Sequence, residues 1–248
     1  VGLQSLAVLL DRPIGDSALR ALRAHLSTLP PDVRVWAVRI TSRSTREGGL
    51  PDPRWQDELA AVADALGHEG TAERRTIVGT FDAAARSLDD GSTLLVVLDG
   101  AGAQWALRHA RGSTLILPAE APARPGRPRA LLVARDAAEA ERLTSWAALL
   151  APDVEVALRG VFQPTSHASS RVLYDLTALE VALETARARL VAAGRFVVAG
   201  CVVHEDPPEE EATLVVRVAR RGLLRRLLPG PDARACRRRP CARLLLAP

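Results

Sequence analysis

The sequence predicts an α/β chain built as two tandem doubly wound domains, each with a five-stranded parallel sheet. Three observations predict it. Short apolar runs bounded by turn residues alternate with helical stretches along all 248 residues, which is the pattern of βαβ units. The pattern runs through twice in the same order. Between the copies lies a Pro-, Ala- and Gly-rich stretch, AEAPARPGRP, that reads as a semi-rigid linker. The domains are therefore 1–118 and 129–248, joined by 119–128.

Each element has its counterpart. A buried parallel strand at 6–10 ends at Asp11, and the run opening at Leu131 ends at Asp136; strands covered on both faces read as unbroken apolar runs. Helices follow at 17–26, with Asp16 or Ser17 as N-cap, and at 138–150. The second strands share a signature, Pro31-Asp32-Val33-Arg34-Val35 against Pro152-Asp153-Val154-Glu155-Val156. Polar loops (41–54 and 163–170) lead into longer helices at 56–66 and 173–193. The latter carries Leu176, Leu179, Leu183, Ala186 and Leu190 at helical spacing. Third strands at 75–78 and 196–199 each end in glycine, Gly79 and Gly200. A helix at 80–88 follows in the first copy, whereas the second has a polar cluster, His204-Glu205-Asp206 with Glu209 to Glu211. Fourth strands begin Thr93-Leu94-Leu95-Val96-Val97 and Thr213-Leu214-Val215-Val216. Fifth strands close each copy at 114–117 and 243–246. Right-handed crossovers place helices on both faces of such sheets, and ligands sit at the carboxyl ends of the strands. Asp11 and Asp136 stand at such ends.

Composition narrows the function. With 48% hydrophobic and 3% aromatic residues, the cores are built of Leu, Val and Ala. There is no Lys, so the basic charge is all Arg, and the formal net charge is +4. That charge permits anionic partners, but the aromatics that interleave a basic face in nucleic-acid binders are missing; nucleic acid is not among the expected partners. Without Lys there is no phosphate-loop lysine and no Schiff base. No G-x-S-x-G elbow occurs, and the five histidines form no metal-ligand pattern. The polar cluster at 204–211 reads as a solvated loop. No catalytic constellation emerges, so the expectation is a binding protein, not an enzyme, with no metal. Cys201, Cys236 and Cys241 are odd in number and not spaced as CxxC, which fits a reducing cytoplasm. No run reaches the ~18–20 apolar residues of a membrane span.

In order and pattern the chain resembles a tandem universal stress protein. The most telling residues are in the second copy: the strand at 212–218, then Arg221-Gly222-Leu223-Leu224-Arg225-Arg226-Leu227-Leu228-Pro229-Gly230, then a Pro240-Cys241 turn and the strand at 244–247. The resemblance covers almost the whole chain and implies a Rossmann-like sheet of the adenine nucleotide alpha hydrolase type. It also implies an adenine nucleotide, ATP or AMP. In the family the strand-one Asp meets the adenine region, and the phosphates lie on a loop Gly-x2-Gly-x9-Gly-Ser/Thr after strand four. Glycines there let the backbone approach an anion, and a helix N-terminus offers free N–H groups.

Neither copy carries that loop intact. In the second, Ala219-Arg220-Arg221-Gly222 replaces the opening Gly by Ala, seven residues rather than nine separate Gly222 from Gly230, and Pro231 stands where a hydroxyl is needed. The arginines offer charge to a phosphate, or else form the solvated face of the last helix. In the first copy Asp99-Gly100-Ala101-Gly102 places a negative charge where phosphate belongs, and Gly112-Ser113 matches only in spacing, directly before the fifth strand. A nucleotide site is therefore expected in the second copy only, formed by Asp136 toward the adenine and by Ala219, Arg220, Arg221, Gly222 and Gly230 toward the phosphates, as the resemblance implies; the equivalents in the first are Asp11, Gly100 and Gly102. Both strand-end aspartates also read as caps of the next helix or turn. The alternative function is a nucleotide-free interaction or regulatory module, for example one linked to a transporter. The fifth strands are expected to pair, within the chain or between copies as a homodimer, because an unpaired apolar edge invites aggregation.

Overall fold

In the computed structural model, the described residues are 3–26, 32–41, 53–66, 72–118, 128–147, 150, 153–162, 169–203, 212–218 and 241–246. They form an α/β fold with ten strands and six helices and divide into two compact units. One comprises 2–124 together with the last strand; the other comprises 125–218.

The first unit contains β1 (Ser5–Leu10), α1 (Asp16–Leu26), β2 (Arg34–Thr41), α2 (Pro53–Ala65), β3 (Glu73–Val78), α3 (Phe81–Leu88), β4 (Thr93–Leu98), α4 (Ala101–His109) and β5 (Thr114–Leu117). Its strand order is β3-β2-β1-β4-β5, all parallel. All six residues of β1 and all six of β4 are buried, as expected of central strands with helices on both faces. Alternation along the strands divides the core. Ala7, Leu9, Leu95, Val97 and Ile116 pack with Ala85, Leu88, Ala103, Trp105 and Ala106 of α3 and α4. β3 is the exposed, charged edge, and Arg75 lies 4.3 Å over the ring of Trp36 on β2. Charge on an edge strand discourages pairing with other chains.

The last strand, β10 (Ala242–Leu246), lies antiparallel to β5, with Arg243 opposite Ile116 and Leu245 opposite Thr114. Leu245 joins the first unit's core. The edge of β5 is thus covered by the same chain.

The second unit contains β6 (Arg129–Ala134), α5 (Ala137–Ala147), β7 (Glu155–Val161), α6 (Ser169–Ala192), β8 (Val197–Val203) and β9 (Leu214–Val218). The order β9-β6-β7-β8 repeats that of β4-β1-β2-β3, again parallel. A register shift between Ala157 and Arg159 interrupts the pairing of β7 with β8.

The element boundaries differ from the sequence reading at several ends. Both second strands start later than their Pro-Asp signatures, because Asp32 and Asp153 sit in turns. Gly200 lies inside β8 rather than at its end. The first amide of α1 to find an i−4 carbonyl is that of Leu19, on Gly15, so the cap position falls on Gly15 and Asp16 is already helical. α6 stops at Gly194, whose φ of +75° is the left-handed conformation a side chain disfavours. There Gly194 N–H donates to Val191 O and Arg195 N–H to Leu190 O, both at 2.9 Å, the paired bonds of a Schellman stop.

Candidate functional site

The carboxyl ends of β1 and β4 lie side by side in the first unit, because the chain jumps over β1 between β3 and β4. Such a switch point leaves a crevice between diverging crossovers. Asp11 and Arg12 follow β1, and Asp99 and Gly100 follow β4. Asp11 is exposed and caps nothing, since α1 begins five residues later. Arg12 reaches across to donate from its guanidinium to the Asp99 carbonyl. Asp99 N–H donates to Leu117 O at 2.8 Å, tying the turn to β5.

Gly100 is the N-cap of α4, with φ +98°, and the helix has no side-chain cap. A Cβ at Gly100 would stand 3.8 Å from the Arg12 guanidinium. The Gly100 N–H donates to Asp99 Oδ1 at 2.7 Å. A carboxylate of the chain's own thus occupies a donor that an anion would use at this helix start. The Asp99 carboxylate competes with a phosphate for the Gly100 amide, while the Arg12 guanidinium beside it carries the opposite charge.

Gly102 has a different task from the one its sequence pattern suggests. It is buried on α4, and a Cβ there would come within 3.0 Å of Val97 Cβ and 3.3 Å of Phe81 Cζ. The absent side chain lets α4 settle onto β4. Beside it Phe81 and Trp105 meet edge to face, centroids 6.1 Å apart, and Trp105 Nε1 donates to Asp82 Oδ1 at 2.9 Å.

In the second unit Asp136 follows β6 and caps α5. Its Oδ1 accepts the Glu139 N–H at 2.8 Å, and Glu139 Oε2 accepts the Arg135 N–H, also at 2.8 Å. The two carboxylates thereby satisfy amides at the helix start, close to a capping box. Asp136 itself remains exposed. Ala219, Arg220, Arg221, Gly222 and Gly230 lie outside the described residues, as does the polar cluster at 204–211.

Sequence reasoning missed Arg12 and Glu139. The signal for Glu139 was present as Asp-x-x-Glu directly before an apolar helix. Arg12 had none, because its partner is a backbone carbonyl 87 residues away.

No protein-family model matches the chain, and no curated protein matches it. Among solved structures, a universal stress protein from Archaeoglobus fulgidus is similar over 97% of this chain and 95% of that one, with a TM-score of 0.56 and 14% sequence identity. At that identity the likeness is one of fold: a doubly wound α/β architecture followed over nearly the full length of both chains. Among the described residues no helix is long and apolar enough to cross a membrane.

Proposed function

We propose that the chain is a two-domain stress-response protein of the universal stress type, and that it takes an adenine nucleotide, ATP or AMP, at the strand tips of its second unit. One observation carries the reading: the strand order of the first unit recurs in the second, with an exposed aspartate beyond the first strand of each. The likeness of fold to a universal stress protein over 97% of the chain supports it. The two units differ in their fitness for an anion. Asp99 takes the Gly100 amide in the first, while after β9 the sequence runs Ala219-Arg220-Arg221-Gly222, rich in positive charge. Asp136 keeps one carboxylate oxygen on the α5 cap; its exposure leaves the group accessible to a nucleoside.

Thermal unfolding with and without millimolar ATP or AMP tests this. A ligand held at 100 times its Kd stabilises the folded state by about 2.7 kcal/mol, a readily measured shift. Asp136→Asn preserves a capping oxygen and is expected to keep the fold while reducing the shift. No shift at millimolar nucleotide, together with no nucleotide released on denaturation, rejects the binding.

A second reading has its own observation. In the first unit the Asp99 carboxylate takes the Gly100 amide at the strand tips, which suits a nucleotide-free interaction or regulatory module. Under that reading neither ATP nor AMP shifts unfolding.

A further inference from the structure

The sheets of the two units differ in one row. In the first unit Leu9 of β1 lies between Val38 of β2 and Val97 of β4. All three are fully buried, in the core that α3 and α4 cover. In the second unit the corresponding row is Val133 of β6 between Arg159 of β7 and Arg217 of β9. Side chains alternate across a strand with period two, so residues in register share a face. Right-handed crossovers place α5 and α6 on the other face, as they place α1 and α2 in the first unit. Two arginines therefore stand where the first unit has two core valines.

Neither is an open surface residue: Arg217 is 5% exposed and Arg159 is half-buried. A buried cation is costly unless an anion lies beside it, and the valines of the first unit show that the fold itself needs no charge in this row. The two Cα atoms stand two strand spacings apart, roughly 10 Å, so both guanidinium groups can converge above Val133. Each carries five N–H donors in a planar fork that matches a phosphate. Arg159 Nη1 donates to Leu158 O at 3.1 Å. The carboxylate at the far end of the same strand, Glu155, meets Arg129 at 2.8 Å.

Two features of the backbone favour a ligand here. Beside Arg159 the ladder is irregular, β8 running from Val198 to Cys201 where β7 runs from Ala157 to Arg159, whereas β2 and β3 pair without interruption. Such bulges recur next to functional sites. The row is also the last but one before the carboxyl ends of β6 and β9. Those strands are neighbours, as β1 and β4 are, and ligands of doubly wound sheets sit at such ends.

We infer that Arg159 and Arg217 form an anion site that takes a phosphate or polyphosphate group, one guanidinium from each side of Val133. The group is either the phosphate chain of the nucleotide proposed above, in which case the inference rests on that reading, or a free polyphosphate. The charge is then met by arginines on the sheet face rather than by glycine amides after β9.

Calorimetric titration of the full chain with tripolyphosphate, ATP and adenosine, at fixed ionic strength, tests this. The wild type is expected to bind tripolyphosphate. Arg159→Gln, and the pair Arg159→Val/Arg217→Val that writes the first unit's row into the second, are expected to weaken it at least about tenfold, as the loss of a charge-assisted hydrogen bond does. The valine pair is expected to keep the wild-type circular dichroism and melting temperature, since apolar residues replace buried charge at little cost; the single Arg159→Gln serves if it does not fold. ATP binding that falls in the same variants, with adenosine binding unchanged, makes the nucleotide the source. Tripolyphosphate bound without ATP makes the source a free polyphosphate and rejects the nucleotide reading alone. ATP bound equally by the wild type and the folded variants overturns the arginine site and leaves the nucleotide reading standing. A wild type that binds neither polyanion, or tripolyphosphate binding that the folded variants keep, overturns the proposal.

Discussion

Gly102→Ala isolates what that glycine does. Replacing glycine by alanine within a helix gains up to about 1 kcal/mol of propensity, less in the first turn, where Gly102 sits as the second residue of α4. Against that gain, the new Cβ meets Val97 Cβ at 3.0 Å and Phe81 Cζ at 3.3 Å. The Phe81 ring can swing by a few tenths of an ångström. Val97 Cβ is fixed to β4, a fully buried central strand paired on both sides, so α4 must lift instead. Overpacking of this sort costs about 1–3 kcal/mol. The balance is a net loss of about 1–2 kcal/mol. Urea unfolding followed by far-UV circular dichroism measures it. With a slope of about 1–3 kcal/mol per M for a unit of this size, the transition of the unit that holds α4 moves down by roughly 0.5–1 M with its slope unchanged. Nucleotide-dependent stabilisation stays as in the wild type. A stabilised variant would refute the packing argument, and lost nucleotide response with unchanged stability would return Gly102 to the binding loop.

Two further predictions concern turns. Burial pushes the Asp90 pKa up, but hydrogen bonds from the Ser92 and Thr93 amides and hydroxyls outweigh it, and the carboxyl titrates below its usual value. Its folded-state pKa therefore lies below its unfolded one, so the stabilisation is present above the ordinary carboxylate pKa and is lost as pH falls through the folded value; the urea midpoint of Asp90→Asn should fall less than that of the wild type between neutral pH and pH 2. Gly194→Ala has open space around its Cβ but must hold φ at +75°, so it should cost about 1 kcal/mol from backbone strain alone, seen as a lower melting temperature; an unchanged or higher value would mean the Schellman stop relaxes at no cost.

The α/β class, the repeated order of elements and the place of most strands were legible in the sequence. Central strands such as β1 and β4 are buried on both faces, so all but their first residues, Ser5 and Thr93, whose hydroxyls satisfy each other at 2.7 Å, are apolar and the run announces itself. Strand beginnings were less legible, because Asp32 and Asp153 continue the pattern in composition while their backbones turn. The candidate site was legible only as residue types. An aspartate after a strand is written the same way whether it meets a ligand, caps a helix like Asp136 or stands exposed like Asp11. Glycine is equally ambiguous: Gly100 is required by its left-handed φ and Gly102 by the closeness of Val97, and each reason depends on atoms distant in the chain.

By itself, then, the sequence determined the alternation of buried strands and amphipathic helices, since local burial demands a local pattern of apolar residues. That the two fifth strands would pair was expected from their apolar edges, but that they do so within one chain and antiparallel was decided only in three dimensions, because backbone pairing between strands over 120 residues apart leaves no trace of its direction in the composition of either. The same holds for Arg12 on the Asp99 carbonyl and for Asp99 on the Gly100 amide, whose effect on a phosphate depends on where the folded sheet brings the charges together.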